Sequence, residues 1–185
     1  LINKINTGYP RNNIPLPSPG VGGPCLSKDP YLFSNSLLSK NKFEKNTLTN
    51  SRQISKKIIK KIVELINIEV NKLNIKRKLN IFILGIAFKG NPPTSDYRDS
   101  NSLEIINQIK DVFLNPVILV HDEYIGINEL KKLKFNYSEI DKGLVNSDIC
   151  IIMNNNENYK NIHIEKSLSK RNKKLILFDC WSLLS

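Results

Sequence analysis

Cys25 is the residue of this chain best suited to covalent chemistry. It stands in residues 19–30, PGVGGPCLSKDP, a single cysteine among glycines with Asp29 four residues on. A thiolate can capture an aldehyde carbon, and a nearby carboxylate can activate water to hydrolyse the thioester that results. The glycines let backbone approach a ligand closely. The same letters also describe a Gly/Pro turn around a buried cysteine. Spacing alone favours that plainer reading, since free cysteine is among the most buried residue types.

A second segment with chemical content is 83–102, ILGIAFKGNPPTSDYRDSNS. It reads as a buried strand, then a loop carrying Lys89 and Arg98, then a helix capped near Asn101. In a parallel sheet, ligands bind beyond the carboxyl ends of the strands, where basic groups suit a phosphate. An ordinary strand–loop–helix junction with solvated charges explains the pattern equally well. Two familiar phosphate motifs are excluded. Gly20, Gly22 and Gly23 do not form GxGxxG and follow no strand; between Gly85 and Gly90 the lysine precedes the second glycine instead of following it.

The elements that must position these residues are uneven along the chain. The first forty residues hold most of the prolines and glycines and read as irregular backbone. From about Ser51, the residues Ile54, Ile58, Ile62, Ile66, Val70 and Leu73 recur at helical spacing. Some twenty residues of helix would reach roughly 30 Å, longer than a small domain needs, which suits a connecting or subunit-packing helix. Beyond Lys78, strands are expected over 80–85, 117–121, 148–153 and 175–179. Helices are expected over about 103–113, 126–133 and 137–146, with another after 162. This alternation implies right-handed crossovers and a mainly parallel sheet covered on both faces. The unbroken apolar run IFILG at 81–85 fits a strand buried on both sides.

Composition limits the function classes. The chain has 185 residues, 40% of them hydrophobic, enough for a sizeable core. The formal net charge of +11 invites anionic partners, but the lysines are scattered among frequent Asn and Ile rather than interleaved with aromatics. With 8% aromatic residues and no recognition module, nucleic-acid binding is not expected. Three cysteines and no signal peptide argue against a disulfide framework and for a reducing compartment, the cytoplasm. No apolar run approaches bilayer length, so no membrane partner is expected. Cys25, Cys150 and Cys180 lack CxxC spacing and His121 and His163 stand alone, so no metal is expected.

Taken together, GVGGPCLSKDP and LGIAFKGNPPTSDYRDS resemble the paired motifs of the UDP-glucose/GDP-mannose dehydrogenase family, GxGGxCxxKDP and LGxAFKxxxxDxRxS. SDICIIMNNNENY and ILFDCWSLL are similar to that family's last strands, although Asn156 stands where a histidine is common. Tyr9-Pro10-Arg11 is similar to the branch acting on N-acetylated UDP-hexosamines, UDP-N-acetylmannosamine in particular. The resemblance implies a four-electron oxidation of a sugar C6 alcohol to a carboxylate with NAD as cofactor. It assigns Cys25 as nucleophile, Asp29 as the group assisting water or proton transfer, and Lys28 as lining the same loop. Gly22 would let substrate lie against backbone. Phe88 and Lys89 would contact the UDP-sugar, and Arg98 would approach the NAD. Arg11 would reach substrate, often across a subunit interface.

The fold implied is α/β, a Rossmann-like parallel sheet sandwiched by helices and preceded by a catalytic loop and a long connecting helix. Residues 1–50 would end a central domain, 51–77 would form a connecting or dimerisation helix, and 78–185 a UDP-sugar-binding domain. Partners would be an N-terminal NAD-binding domain, which these residues do not include, and further copies in a dimer or larger assembly. The opening LINKINTGYP, without an initiator methionine, points to a piece of a longer protein. A non-catalytic sugar-nucleotide-binding remnant stays open beside a working dehydrogenase.

Overall fold

The computed structural model describes residues 1–8, 14, 17–36, 42–75, 77–171 and 173–184. Its centre is a five-stranded, wholly parallel sheet of β1 (Asn80–Leu84), β2 (Val117–His121), β3 (Asn136–Tyr137), β4 (Ile149–Ile152) and β5 (Ile176–Asp179). The spatial order is β3-β2-β1-β4-β5. The chain therefore builds outward from β1 on one side, then returns to lay β4 against β1 on the other. The loops after β1 and β4 leave the sheet as neighbours, the switch point where α/β sheets form ligand crevices.

Strand β1 explains the two-layer cover. Ile81 and Ile83 join the core cluster shared with α3 (Lys42–Lys72) and α4 (Asn101–Val112). Phe82 and Leu84 point into the opposite cluster, with Leu144, Cys150, Ile152 and Tyr159. There α6 (Ile140–Asn146) crosses the sheet at Gly143, whose Cβ would fall 2.4 Å from the Phe82 ring. The remaining helices are α1 (Ile2–Asn6), α2 (Asp29–Ser36), α5 (Ile127–Lys132) and α7 (Ile164–Leu168), with a 3-10 turn over Glu157–Asn161.

Several expectations need correction. The first forty residues are not uniformly irregular: α2 begins at Asp29, with Pro30 in its first turn, where a missing N–H costs nothing. The long helix begins at Lys42 rather than near Ser51, and at 31 residues it reaches about 46 Å. Its buried stripe runs through Ser55, Ile59, Val63, Ile66 and Val70, while Ile54 is 59% exposed and Leu73 also faces outward. The helix expected over 137–146 starts only at Ile140, because Tyr137 pairs with Val120 and Ser138 N–H donates to the Val120 carbonyl at 2.9 Å. A two-residue strand is too short to display alternation. The cap of α4, expected near Asn101, is indeed there: Ser100 Oγ accepts from Ser102 N at 3.1 Å.

A buried charge closes the amino-terminal end of the sheet. Asp148, 2% exposed at the side chain, receives both terminal guanidinium nitrogens of Arg77, Lys173 Nζ at 3.0 Å and Asn80 N–H at 3.0 Å. Among the described residues no helix is long and apolar enough to cross a membrane. No group of three or more His, Cys, Asp or Glu is placed there to hold a metal ion.

Candidate functional site

The cysteine turn is built from both sides. Gly20 and Gly23 adopt φ +101° and +95°, left-handed values that only glycine takes without strain. Between them, Val21 is clamped by α3: its N–H donates to Ser55 Oγ at 2.9 Å and its carbonyl accepts from Arg52 Nη1 at 2.8 Å. Arg52 is 9% exposed, and its Nε has no hydrogen-bond partner. From Gly23 the chain folds into a tight turn. Ser27 N–H donates to the Gly23 carbonyl, and the Lys28 and Asp29 N–H groups donate to the Cys25 carbonyl. Cys25 is exposed at the head of this turn, just before α2. Lys28 Nζ lies 3.2 Å from Asp29 Oδ1, both side chains more than half exposed.

The second loop, from Gly85 to the start of α4, is held by neighbours on every side. Asp122, buried at the end of β2, accepts from Ile86 and Ala87 N–H through Oδ2 at 2.7 and 2.8 Å. Its Oδ1 accepts from Tyr124 and Ile125 N–H. Asn155 Oδ1 accepts from Gly90 and Asn91 N–H at 2.9 and 3.0 Å. Asn154 fills the space beside Gly85, where a Cβ would come within 2.3 Å of its Cγ. The Asn91–Pro92 peptide is cis. The loop is closed by Phe88 N–H donating to the Asp96 carbonyl at 3.0 Å. Lys89 Nζ sits 5.4 Å from the centroid of the Phe88 ring, within cation–π range. Arg98 is forked onto Asp96, with Nη2 at 2.7 Å from Oδ2 and Nε at 3.0 Å from Oδ1. That bond holds the Asp96 carboxyl at about 2.

The two loops meet. Gly23 N–H donates to the Asp99 carbonyl at 3.1 Å, and Ser27 Oγ donates to Asp99 Oδ2 at 2.8 Å. Gly22 has no room for a side chain, since a Cβ would lie 2.9 Å from the Asp99 carbonyl oxygen. At Gly23 a Cβ would lie 2.9 Å from the Phe88 ring. The hydrogen-bonded Asp96 carboxylate raises the Arg98 pKa above its ordinary value.

Of the residues singled out from sequence, Gly22, Phe88 and Arg98 thus stand around the Cys25 turn. Lys28 and Asp29 are on the turn itself, and Lys89 lies over Phe88. Arg11 lies outside the described residues. Sequence reasoning missed Asp99, Asp122, Asn155, Arg52 and Ser55, which hold the loops. Only Asp122, an acid directly after an apolar strand, carried any local signal. A separate cavity of about 590 Å³ opens beyond β2 and β3, with the buried His121 and the acids Glu123, Glu139 and Asp141 among its lining. Burial lowers the His121 pKa from its ordinary value.

Comparison with known proteins gives a consistent picture. Residues 82–185 match the profile described as UDP-glucose/GDP-mannose dehydrogenase family, UDP binding domain. UDP-N-acetyl-D-mannosamine dehydrogenase of Methanococcus vannielii is 27% identical over 184 residues, covering 98% of this chain. The Escherichia coli K12 protein of the same name is 26% identical over 168 residues, covering 86% of the chain. The solved structure of UDP-D-ManNAc dehydrogenase from Pyrococcus horikoshii superposes with a TM-score of 0.78 at 25% identity, over 100% of this chain. This chain spans only 40%, 38% and 40% of those three proteins respectively.

Proposed function

Since the chain belongs to the UDP-glucose/GDP-mannose dehydrogenase family, with residues 82–185 as its UDP-binding domain, we propose that it is the cysteine-bearing, carboxyl-terminal part of an NAD-dependent nucleotide-sugar 6-dehydrogenase. The observation that carries this reading is the seat of the Cys25 turn on the Phe88–Arg98 loop, through Gly23 and Ser27. A nucleophile beside a loop that carries Lys89 and Arg98 supports one ligand shared between them. The names of the matched relatives favour a UDP-N-acetylhexosamine, UDP-N-acetylmannosamine first, over UDP-glucose.

In this mechanism Lys89 and Phe88 contact the sugar nucleotide, the ammonium meeting phosphate charge and the ring an apolar face. Gly22 lets substrate approach the backbone, and Arg11 reaches it from the amino-terminal side. The C6 alcohol loses a proton and a hydride to give the aldehyde. The Cys25 thiolate adds to C6 as a thiohemiacetal, and loss of a second hydride leaves a thioester on Sγ. Asp29, with Lys28 beside it, takes a proton from water as it attacks the thioester carbonyl, releasing the uronate and restoring the thiol. NAD, when bound, supplies the hydride acceptor for each oxidation. Arg98 would approach a phosphate of that cofactor, its side chain 70% exposed although forked onto Asp96.

The whole enzyme would add an N-terminal NAD-binding domain and assemble as a dimer or larger oligomer in the cytoplasm. Residues 1–50 would complete a central domain, 51–77 would connect, and 78–185 would hold UDP. The test is NADH formation by the longer polypeptide that contains this chain, with UDP-N-acetylmannosamine and UDP-glucose compared. The reading expects two NADH per uronate and none from Cys25→Ala. Full turnover by Cys25→Ala would overturn the covalent route. Turnover by this chain alone, abolished in Cys25→Ala, would overturn the need for the additional domain.

A further inference from the structure

Asp99 lies between Arg98 and the helix cap Ser100, and both of its oxygen-bearing groups turn toward the cysteine loop. Its carboxylate accepts from Ser27 Oγ at 2.8 Å and its carbonyl accepts from Gly23 N–H at 3.1 Å. Its backbone is left-handed, φ +50°. Gly23 and Ser27 flank Cys25 at two residues on either side, so one residue anchors both arms of the turn that carries the thiol. Gly22 presses on the same carbonyl. No second side chain of the Arg98 loop is hydrogen-bonded to the cysteine turn among the described residues.

We propose that Asp99 is a positioning residue that fixes the Cys25 turn relative to Arg98, so that thiol and guanidinium meet one bound ligand in a constant geometry. The proposal rests on the dehydrogenase reading above for its functional consequence. Its physical basis is separate. The upstream clamp of Ser55 and Arg52 reaches Val21, and downstream α2 packs against α3, but neither ties the turn to the Arg98 loop. Asp99 supplies that tie, through Ser27 and Gly23. Displacing a reacting group by an ångström can cost about a hundredfold in rate without loss of binding. Removing the anchor should therefore lower turnover and spare affinity for the sugar nucleotide.

The experiment uses the longer polypeptide that contains this chain, as Asp99→Ala, Asp99→Asn, Ser27→Ala and the Ser27→Ala/Asp99→Ala double variant. Asparagine keeps an acceptor for Ser27 and tolerates a positive φ, whereas alanine does neither. The expected result is a fall in kcat of roughly 10- to 100-fold for Asp99→Ala with KM unchanged. Asp99→Asn should restore most of it. The double variant should be no worse than Asp99→Ala, the sign of a shared bond. Deuterium uptake should rise over residues 20–28 and stay unchanged over β1. Parental kcat and uptake in Asp99→Ala would overturn the proposal, as would an equal rise over β1, which marks general loosening. A parent that forms no NADH would sink the dehydrogenase reading instead, and the exchange pattern would then decide the anchor by itself.

Discussion

Burial pushes the Asp148 carboxyl up, yet Arg77, the Asn80 N–H and Lys173 outweigh it and hold the group at about 2. Its ordinary value is 3.8. A carboxylate depressed in the folded state stabilises the fold above its unfolded pKa and loses that contribution as pH falls through the folded one. The shift corresponds to about 2 kcal/mol at neutral pH. Asp148→Asn should therefore lower unfolding free energy by about 2–4 kcal/mol at pH 7, since it leaves the two cations facing a neutral group. Urea titrations of both proteins should show the gap narrowing between pH 4 and pH 2. A gap constant across that range would mean the loss is one of packing and not of charge. Asp148 and Asp99 look alike in the sequence, each an acid next to a serine. One is sealed under strand ends and the other ties loops together, and only their partners distinguish them.

At the scale of elements, α3 is where pattern and structure part most usefully. A helix rich in isoleucine on several faces offers more than one apolar stripe, and periodicity cannot say which one meets the sheet. The structure buries Ile66 fully and leaves Ile54 59% exposed. Ile66→Ala should cost about 2–5 kcal/mol, the usual range for emptying a packed site. Ile54→Ala should change stability by less than about 0.5 kcal/mol. Chemical denaturation of the two variants checks this directly, and equal losses would mean that the described face is wrong. By contrast β1 was legible, because IFIL can only be a strand buried on both faces or a short buried helix, and the flanking Gly85 favours the first. Strand β3 was not legible: two residues give no period, and its identity comes from pairing with β2.

At the scale of the whole molecule, the strand order brings the loops after β1 and β4 together, and the Asn155 bonds to Gly90 and Asn91 are the direct result. Membership of residues 82–185 in a UDP-binding domain makes a further expectation concrete. UDP at a hundredfold excess over its Kd should stabilise the chain by about 2.7 kcal/mol and raise Tm by roughly 5–10 °C. Lys89→Ala should reduce that rise at the same UDP concentration. A thermal shift absent from the parent, or undiminished in the variant, would remove Lys89 from the nucleotide contacts.

The sequence by itself determined the α/β class, the buried first strand, the two chemical segments and their family resemblance. Each of these is written in neighbouring residues: apolar runs, helical spacing, glycines beside a cysteine, a lysine and an arginine after a strand. What only the tertiary structure decided is how those segments are held. Ser27 and Asp99 are 72 residues apart in the chain, and Asp122 reaches Ile86 N–H across 36. Such bonds leave no local period or composition, because an aspartate that accepts a distant hydroxyl is spelled the same as one that faces water. Their selection depends on which loops the sheet order makes adjacent, a property of the folded chain and not of any stretch of it.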